Sequence, residues 1–297
     1  MRFKYLALSI TTLSISFSLC AEDFSPSGAA LGGAAYSRSL GLENDVLGNP
    51  AMMTLGPDRF GAALSYTNWM PAYGPDRIGN VRIAYNTGKF AVGLAAGYGI
   101  SPAYDLVSDS GVNSGTFSPA ELSVRLGLSW RIIDRLALGA GFRYSSEKLA
   151  PNATVSTMGF SLFTSYIGDV VNASVGLQDL GPKIKSSTGA SYSLASSVLA
   201  SASVKALDTN SCGLNIDACA RYYFSNAFSA AAGTEFSFKD MVFARLGYNF
   251  ASEKAPLASF ASTGLGISVF GVRLDFSYLF ASPTISGTLL AGLSYRF

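Results

Sequence analysis

The sequence contains no histidine and only three cysteines. Without histidine it lacks the commonest general base and metal ligand. No Ser-His-Asp set or Cys-His pair can be assembled to activate a nucleophile. Two cysteines in the mature chain, with no histidine nearby, do not make a metal site. No enzymatic activity and no cofactor are therefore expected. Charge is scarce too, at 13% of residues against about 25% in soluble domains. The net charge of +2 gives no strong pull towards nucleic acid. Also missing, beyond the N-terminus, is any run near the roughly 18 uninterrupted apolar residues of a membrane helix.

Yet 49% of the chain is hydrophobic, and that hydrophobicity is dispersed in alternation. In Thr288 to Phe297, Leu289, Ala291, Leu293, Tyr295 and Phe297 recur at every second position. A period of two sends this set to one face of a strand and Leu290, Gly292, Ser294 and Arg296 to the other. In water such a strand would be an exposed sticky edge. In a closed membrane barrel its apolar face meets lipid and its neighbours leave no edge. The same alternation runs through Phe60-x-Ala62-x-Leu64-x-Tyr66, Phe90 to Tyr98, Leu122 to Trp130, Leu136 to Tyr144, Val171 to Leu177, Val242 to Phe250 and Val272 to Phe280. Counted along the chain it predicts an all-β fold, a transmembrane antiparallel β-barrel of about fourteen strands. The strands near 196–206 and 213–224 are the least regular. Cys212 and Cys219 fall on opposite faces of the latter, about 23 Å apart at about 3.3 Å per residue. They are read as two small buried thiols.

Three segments follow from this pattern. Residues 1–20 read as a secretory signal peptide: Arg2 and Lys4 precede an apolar core from Tyr5 to Leu19, which implies export and cleavage. Cys20 fits a lipidation site poorly, because its preceding residue is Leu19. Residues 21–56 lack alternation and read as a plug-like segment in or under the barrel, with a turn at Gly48-Asn49-Pro50 and a short helical turn after it. Residues 57–297 form the barrel. Tight connections at 86–89, 132–135, 167–170, 239–240 and 270–271 mostly alternate with longer ones at 69–77, 101–115, 145–152, 179–194, 251–256 and 281–286. Short periplasmic turns and longer outer loops produce this rhythm. The connection at 225–227 is short where a long one is due, so a hairpin could be miscounted there.

Arg82, Arg125, Arg143, Glu235, Arg245, Arg273 and Asp275 fall on the inward face. Turned to lipid, each would cost about 2–4 kcal/mol at midplane, which fixes the register. They are read either as a satisfied network that holds the N-terminal segment or as a ligand- or ion-selective lining. The glycine triplets Gly97-Tyr98-Gly99 and Gly139-Ala140-Gly141 leave space in the lumen or admit close backbone approach. Two outer loops offer recognition surface. The first, from Trp69 to Pro75, has Trp69 and Tyr73 as interfacial anchors or partner contacts. The second carries Pro182, Lys183 and Lys185.

Leu40 to Leu55, with Asn44-Asp45 and Gly48-Asn49-Pro50-Ala51, resembles the N-terminal motif of FadL-like outer-membrane barrels, especially the PorV/PorQ branch. Gln178-Asp179-Leu180-Gly181-Pro182-Lys183-Ile184 is similar to that branch's motif after the seventh strand. Gly233-Thr234-Glu235, Phe243 to Tyr248, Gly264 to Ile267 and Asp275 to Tyr278 extend the likeness over nearly the whole mature chain. The resemblance implies a fourteen-stranded barrel in the bacterial outer membrane with an N-terminal segment in its lumen. The PorV branch implies a non-enzymatic subunit of a protein secretion or assembly machine of the type IX kind, with other subunits or secreted cargo as partners. The small outer loops favour a compact accessory barrel. The FadL branch implies uptake of small hydrophobic molecules, which needs a continuous apolar lumen path and a strand kink. The inward Gly, Ser and Arg residues weigh against such a path. The Leu293-x-Tyr295-x-Phe297 ending resembles the aromatic signal read by barrel-insertion machinery.

Overall fold

The computed structural model describes residues 24–71, 74–107, 113–182, 184–185, 191–192 and 194–297. The expected signal peptide, Cys20, Tyr73 and Lys183 lie outside the described residues, as does the side chain of Lys185. Fourteen antiparallel strands close into one barrel. In chain order they are β1 Phe60–Trp69, β2 Asp76–Asn86, β3 Phe90–Ile100, β4 Ala120–Ile133, β5 Leu136–Ala150, β6 Ala153–Ile167, β7 Val171–Leu180, β8 Ser197–Asp208, β9 Cys212–Tyr223, β10 Ala227–Phe238, β11 Val242–Ala251, β12 Phe260–Val269, β13 Val272–Phe280 and β14 Thr288–Arg296. Each pairs with its neighbour in sequence, and β14 pairs with β1 from Gly61↔Arg296 to Asn68↔Leu289. The Phe297 carbonyl extends that seam by accepting from Arg59 and Phe60.

Burial alternates with a period of two along the strands. Leu64, Val81, Leu94, Leu162, Leu246, Leu265 and Leu274 are exposed outward. Tyr85, Phe90, Trp130, Tyr166, Phe238 and Tyr295 ring one end of this apolar band, and Tyr98, Tyr222, Phe228, Phe250 and Phe280 ring the other. Such aromatic girdles mark the two membrane interfaces.

The turns at 87–89, 134–135, 168–170, 209–211, 239–241 and 270–271 lie at the end where β1 begins. By the rule that short turns are periplasmic, the opposite end faces outward. The short connection at 224–226 does join two strands at the outer end, so no hairpin is miscounted there. The loop expected over 145–152 is instead strand. β5 and β6 run on to a two-residue turn, with Glu147, Lys148, Thr154 and Ser156 paired across them. Polar residues on both faces are tolerated there because the hairpin has left the hydrocarbon. Trp69, expected in an outer loop, ends β1. Cys212 and Cys219 are both free; Cys219 is buried, but Cys212 is only half-buried.

Residues 24–57 fill the lumen. Helix α1 (Pro26–Ala30) packs on β12 and β13, α2 (Leu42–Asp45) on β1 and β2, and a 3-10 turn (Pro50–Thr54) on β4 and β5. These elements are far too short to persist alone. Ser25 Oγ caps α1 by accepting from the Gly28 N–H at 3.1 Å. Asn49 Oδ1 caps the 3-10 turn through the Ala51 N–H at 3.0 Å, and Pro50 occupies the first position, where no amide donor is needed.

Wall glycines make this packing possible. A Cβ on Gly233 would lie 2.6 Å from the Leu31 carbonyl oxygen, and one on Gly292 would lie 2.9 Å from Pro26. One on Gly139 would collide with the Ala51 backbone. Gly79, facing lipid, has nothing within 4 Å of that position. Gly139→Val should therefore destabilise the barrel by about 1–3 kcal/mol through overpacking and expose residues 24–57 to protease. Gly79→Val should do neither. Urea unfolding in lipid vesicles with limited proteolysis checks both; equal effects would refute the plug contact.

Candidate functional site

The candidate site is the boundary between the plug and the inner wall. Its outer end is apolar. Trp69, Ile78, Phe260, Leu279, Ile285 and Leu290 form one buried cluster with Ala29 and Leu257, and Phe24 and Met70 pack against it. These residues meet because β1, β2, β12, β13 and β14 all present their outer ends there. Below, the strand register builds levels. Ser277, Leu290, Thr67 and Ile78 lie side by side; next come Asp275, Gly292, Ser65 and Asn80, then Arg273, Ser294, Ala63 and Arg82. The wall thus grades from apolar through a polar level, where Asp275 is the first charge, to charged.

The charged level is a closed network. Arg38 of the plug meets Asp217 on β9 and Glu235 on β10, each at 2.9 Å. Arg245 donates to Glu235 at 2.6 Å and to Asp275 at 2.7 Å. Arg273 donates to Asp275 at 2.9 Å and lies 3.8 Å from Glu235. Three guanidiniums thus face three carboxylates, so the cluster is neutral as a set. A second tie lies at the seam, where Arg296 on β14 donates to Glu43 of α2 at 2.8 Å and to the Leu40 carbonyl at 2.9 Å. Arg82 donates to Ser65 at 3.0 Å.

On the opposite wall, Arg125 and Arg143 are cross-strand neighbours. Arg125 reaches the Leu47 carbonyl at 3.5 Å, and Arg143 lies 3.3 Å from Asp179. A bulge aims Asp179 inward: Phe160 pairs with Leu180 but Leu162 with Leu177, so Gln178 and Asp179 both face the lumen. Asp179 adopts φ 55°, a conformation Asp tolerates better than most residues.

All seven inward charges read from sequence lie in the lumen: Glu235, Arg245, Arg273 and Asp275 in one cluster, Arg125 and Arg143 in another, and Arg82 beside Ser65. Asn49 donates to the Tyr36 carbonyl at 2.6 Å and to Ser165 at 2.8 Å, which pins the plug to β6. Asn44 donates to Leu40. Pro182 is exposed at the outer rim. Tyr295 faces lipid, and Phe297 stacks on Phe60 at 5.2 Å. Trp69 is a correction: it is wholly buried and contacts the lumen cluster, so it is neither an interfacial anchor nor an exposed partner contact.

Sequence reading missed Arg38, Glu43 and Asp217. Asp217 alternates between Ile216 and Ala218 on an irregular strand, a signal that was present. Arg38 and Glu43 lie where no periodicity assigns a face. It also missed Arg221, whose guanidinium stacks 5.1 Å from the Tyr36 ring and donates to its hydroxyl at 2.6 Å.

The plug fits tightly. The spaces between it and the wall are about 40 Å³ or less, room for a water molecule or two. A shallow groove of about 790 Å³ lies on the lipid side, between Leu64, Tyr66, Leu265, Leu274, Phe276 and Leu293. Among the described residues no cluster of Cys, Asp and Glu could hold a metal ion.

Arg38→Met should destabilise the fold by about 3–5 kcal/mol, because it strands buried Asp217 without its counter-charge. Adding Asp217→Met should recover part of that loss; chemical unfolding of both variants is the check. Asp45, in the plug, is pushed up to about 8, by burial first and by Glu43, against the Ser39 hydroxyl and Leu40 N–H. A carboxyl raised on folding contributes its stability at low pH and loses it as pH climbs from about 4 to about 8. Asp45→Asn should flatten that decline in a pH series of unfolding curves.

No family model matches the sequence, and no curated protein does. Solved structures do. The Ralstonia pickettii toluene transporter TbuX superposes with a TM-score of 0.67 at 12% identity, over 93% of this chain and 99% of that one. The Pseudomonas putida toluene transporter TodX gives 0.64 at 13%, over 92% and 97%. A Pseudomonas aeruginosa FadL homologue gives 0.54 at 13%, over 92% and 95%. Such identities speak to architecture, and the architecture is complete: the chain has the fold of the FadL-type outer-membrane barrels.

Proposed function

We propose that the protein is a non-enzymatic outer-membrane channel for small apolar molecules, held here in its closed state. The observation that carries this reading is the buried apolar cluster around Trp69, Ile78, Phe260 and Leu290 at the outer mouth, rich in large side chains where the two clusters elsewhere in the lumen have a wall mostly of alanine. A structural plug needs no apolar entrance. A channel for apolar solutes does, because the solute must leave water for a matching surface before it meets the membrane. The likeness to toluene transporters over more than 90% of both chains supports the same reading.

A continuous apolar path is missing from this state. Below the cluster the wall turns polar, and β3 pairs without a break along its length. Passage therefore requires the plug to shift. Export through a cleaved leader at residues 1–20 belongs to this reading. The secretion-subunit expectation rests on the sequence resemblance, and the geometry adds nothing to it.

Outer-membrane vesicles containing the barrel should take up toluene faster than vesicles without it, and Leu290→Asn should slow that uptake at least threefold. Equal uptake with and without the barrel, together with co-purification of secretion subunits, would replace the channel reading with the secretion one.

A further inference from the structure

Among the buried donors with no acceptor among the described residues, three neutral ones lie on the strands along one side of the lumen. They are the Trp69 indole N–H, the Asn80 amide nitrogen and the Ser277 hydroxyl. Trp69 and Ser277 are 0% exposed and Asn80 is 5% exposed. Others lie elsewhere around the lumen, at Ser145, Thr157, Ser197 and Ser203. Trp69 ends β1 inside the apolar cluster, Ser277 lies one level down on β13, and Asn80 lies one level below that on β2. A buried donor left unpaired is costly, and native proteins leave few. The three descend over successive levels of the wall from β13 across β14 and β1 to β2, and so form an oblique stripe. Above it Ala29 and Phe24 pack on the cluster and Pro26 on Gly292, and these side chains carry no acceptor.

We infer that the stripe on β13, β14, β1 and β2 selects neutral apolar molecules bearing a hydrogen-bond-accepting oxygen, such as alcohols, ethers and ketones, over hydrocarbons of the same shape. This rests on the channel reading above and names its substrate class. The apolar cluster receives the hydrocarbon body, and the stripe supplies donors for the oxygen as the plug yields. The preference is for neutral oxygen, because Asp275 on the level of Asn80 is already paired with Arg245 and Arg273, and the stripe's donors are neutral. A carboxylate solute would enter there as a buried charge without a counter-ion. A plain hydrocarbon leaves the donors unpaired, and a site with unpaired donors discriminates against it.

Cyclohexanol and methylcyclohexane have nearly the same shape and differ in the oxygen. The chain has two tryptophans, and Trp130 faces lipid, so Trp130→Phe leaves Trp69 as sole reporter. In that background cyclohexanol should move the tryptophan emission to longer wavelength as the indole gains an acceptor, and methylcyclohexane should not. In vesicle uptake, Trp69→Phe and Asn80→Leu should each lower the cyclohexanol-to-methylcyclohexane ratio about threefold to tenfold, the worth of one hydrogen bond. An unchanged ratio in folded variants, or equal emission shifts, overturns the substrate class while leaving the channel. Entry of neither compound above barrel-free vesicles overturns the channel reading itself. If either variant lacks the heat-dependent gel shift of a folded barrel, Ser277→Ala, the smallest change, provides the ratio.

Discussion

In hydrocarbon every backbone N–H and C=O must find its partner within the protein, and the rest of this structure depends on that constraint. It forbids an open sheet, so β14 must return to β1, and the seam runs from Gly61↔Arg296 to Asn68↔Leu289. Closure with fourteen strands encloses a volume that wall side chains of this size cannot fill. Much of the inner face is Gly, Ala and Ser. The volume must hold water or chain, and here it holds residues 24–57. The small inward residues follow from that choice, since the plug's backbone lies directly on the wall at Gly139, Gly233 and Gly247.

Charge follows too. Lipid excludes it from the outer face, and the lumen accepts it only when paired, because an isolated buried ion is far more costly than a balanced set. Arg38, Arg245 and Arg273 against Asp217, Glu235 and Asp275 meet that condition. Such a network contributes less through its net energy than through its position. Arg38 belongs to the plug and its partners to β9 and β10. Glu43 belongs to the plug and Arg296 to the last strand. Each tie therefore reports whether the barrel has closed around the right segment.

The strands were legible because a one-residue slip would turn every lipid-facing side chain inward. Leu64, Leu246 and Leu274 could be assigned a face from spacing alone, and so could Arg82, Glu235 and Asp275. Contacts across the lumen were not legible. Nothing in the spacing of Arg38 and Asp217, distant in sequence, says that they meet. The Asn49-Pro50 turn could be located but not its role, since capping the 3-10 turn and donating to Ser165 depend on where β6 passes. Trp69 misled because a tryptophan beside prolines suits an interface anchor, whereas β1 ends one residue later and turns it inward. The Gln178-Asp179 bulge was hidden because an inserted residue breaks the period used to read the strand.

Under the channel proposal, these facts limit how an apolar solute would cross. The solute first meets matching surface around Trp69, Phe260 and Leu290. Beneath lie the neutral stripe and then charges that would strip no cost from its burial. Breaking the Arg38 tie to open the whole lumen would leave Asp217 unpaired, a penalty of several kcal/mol. Movement of α1 and Phe24 disturbs neither ion tie, since α1 is held by the Ser25 cap, by the Ser262 hydroxyl on the Ala30 carbonyl and by packing on Gly264 and Gly292. The weakly held part of the plug is thus the part that covers the apolar mouth, and the strongly held part closes the periplasmic end. A plug divided in this way can admit a small molecule at one end while keeping ions and water from passing through the other.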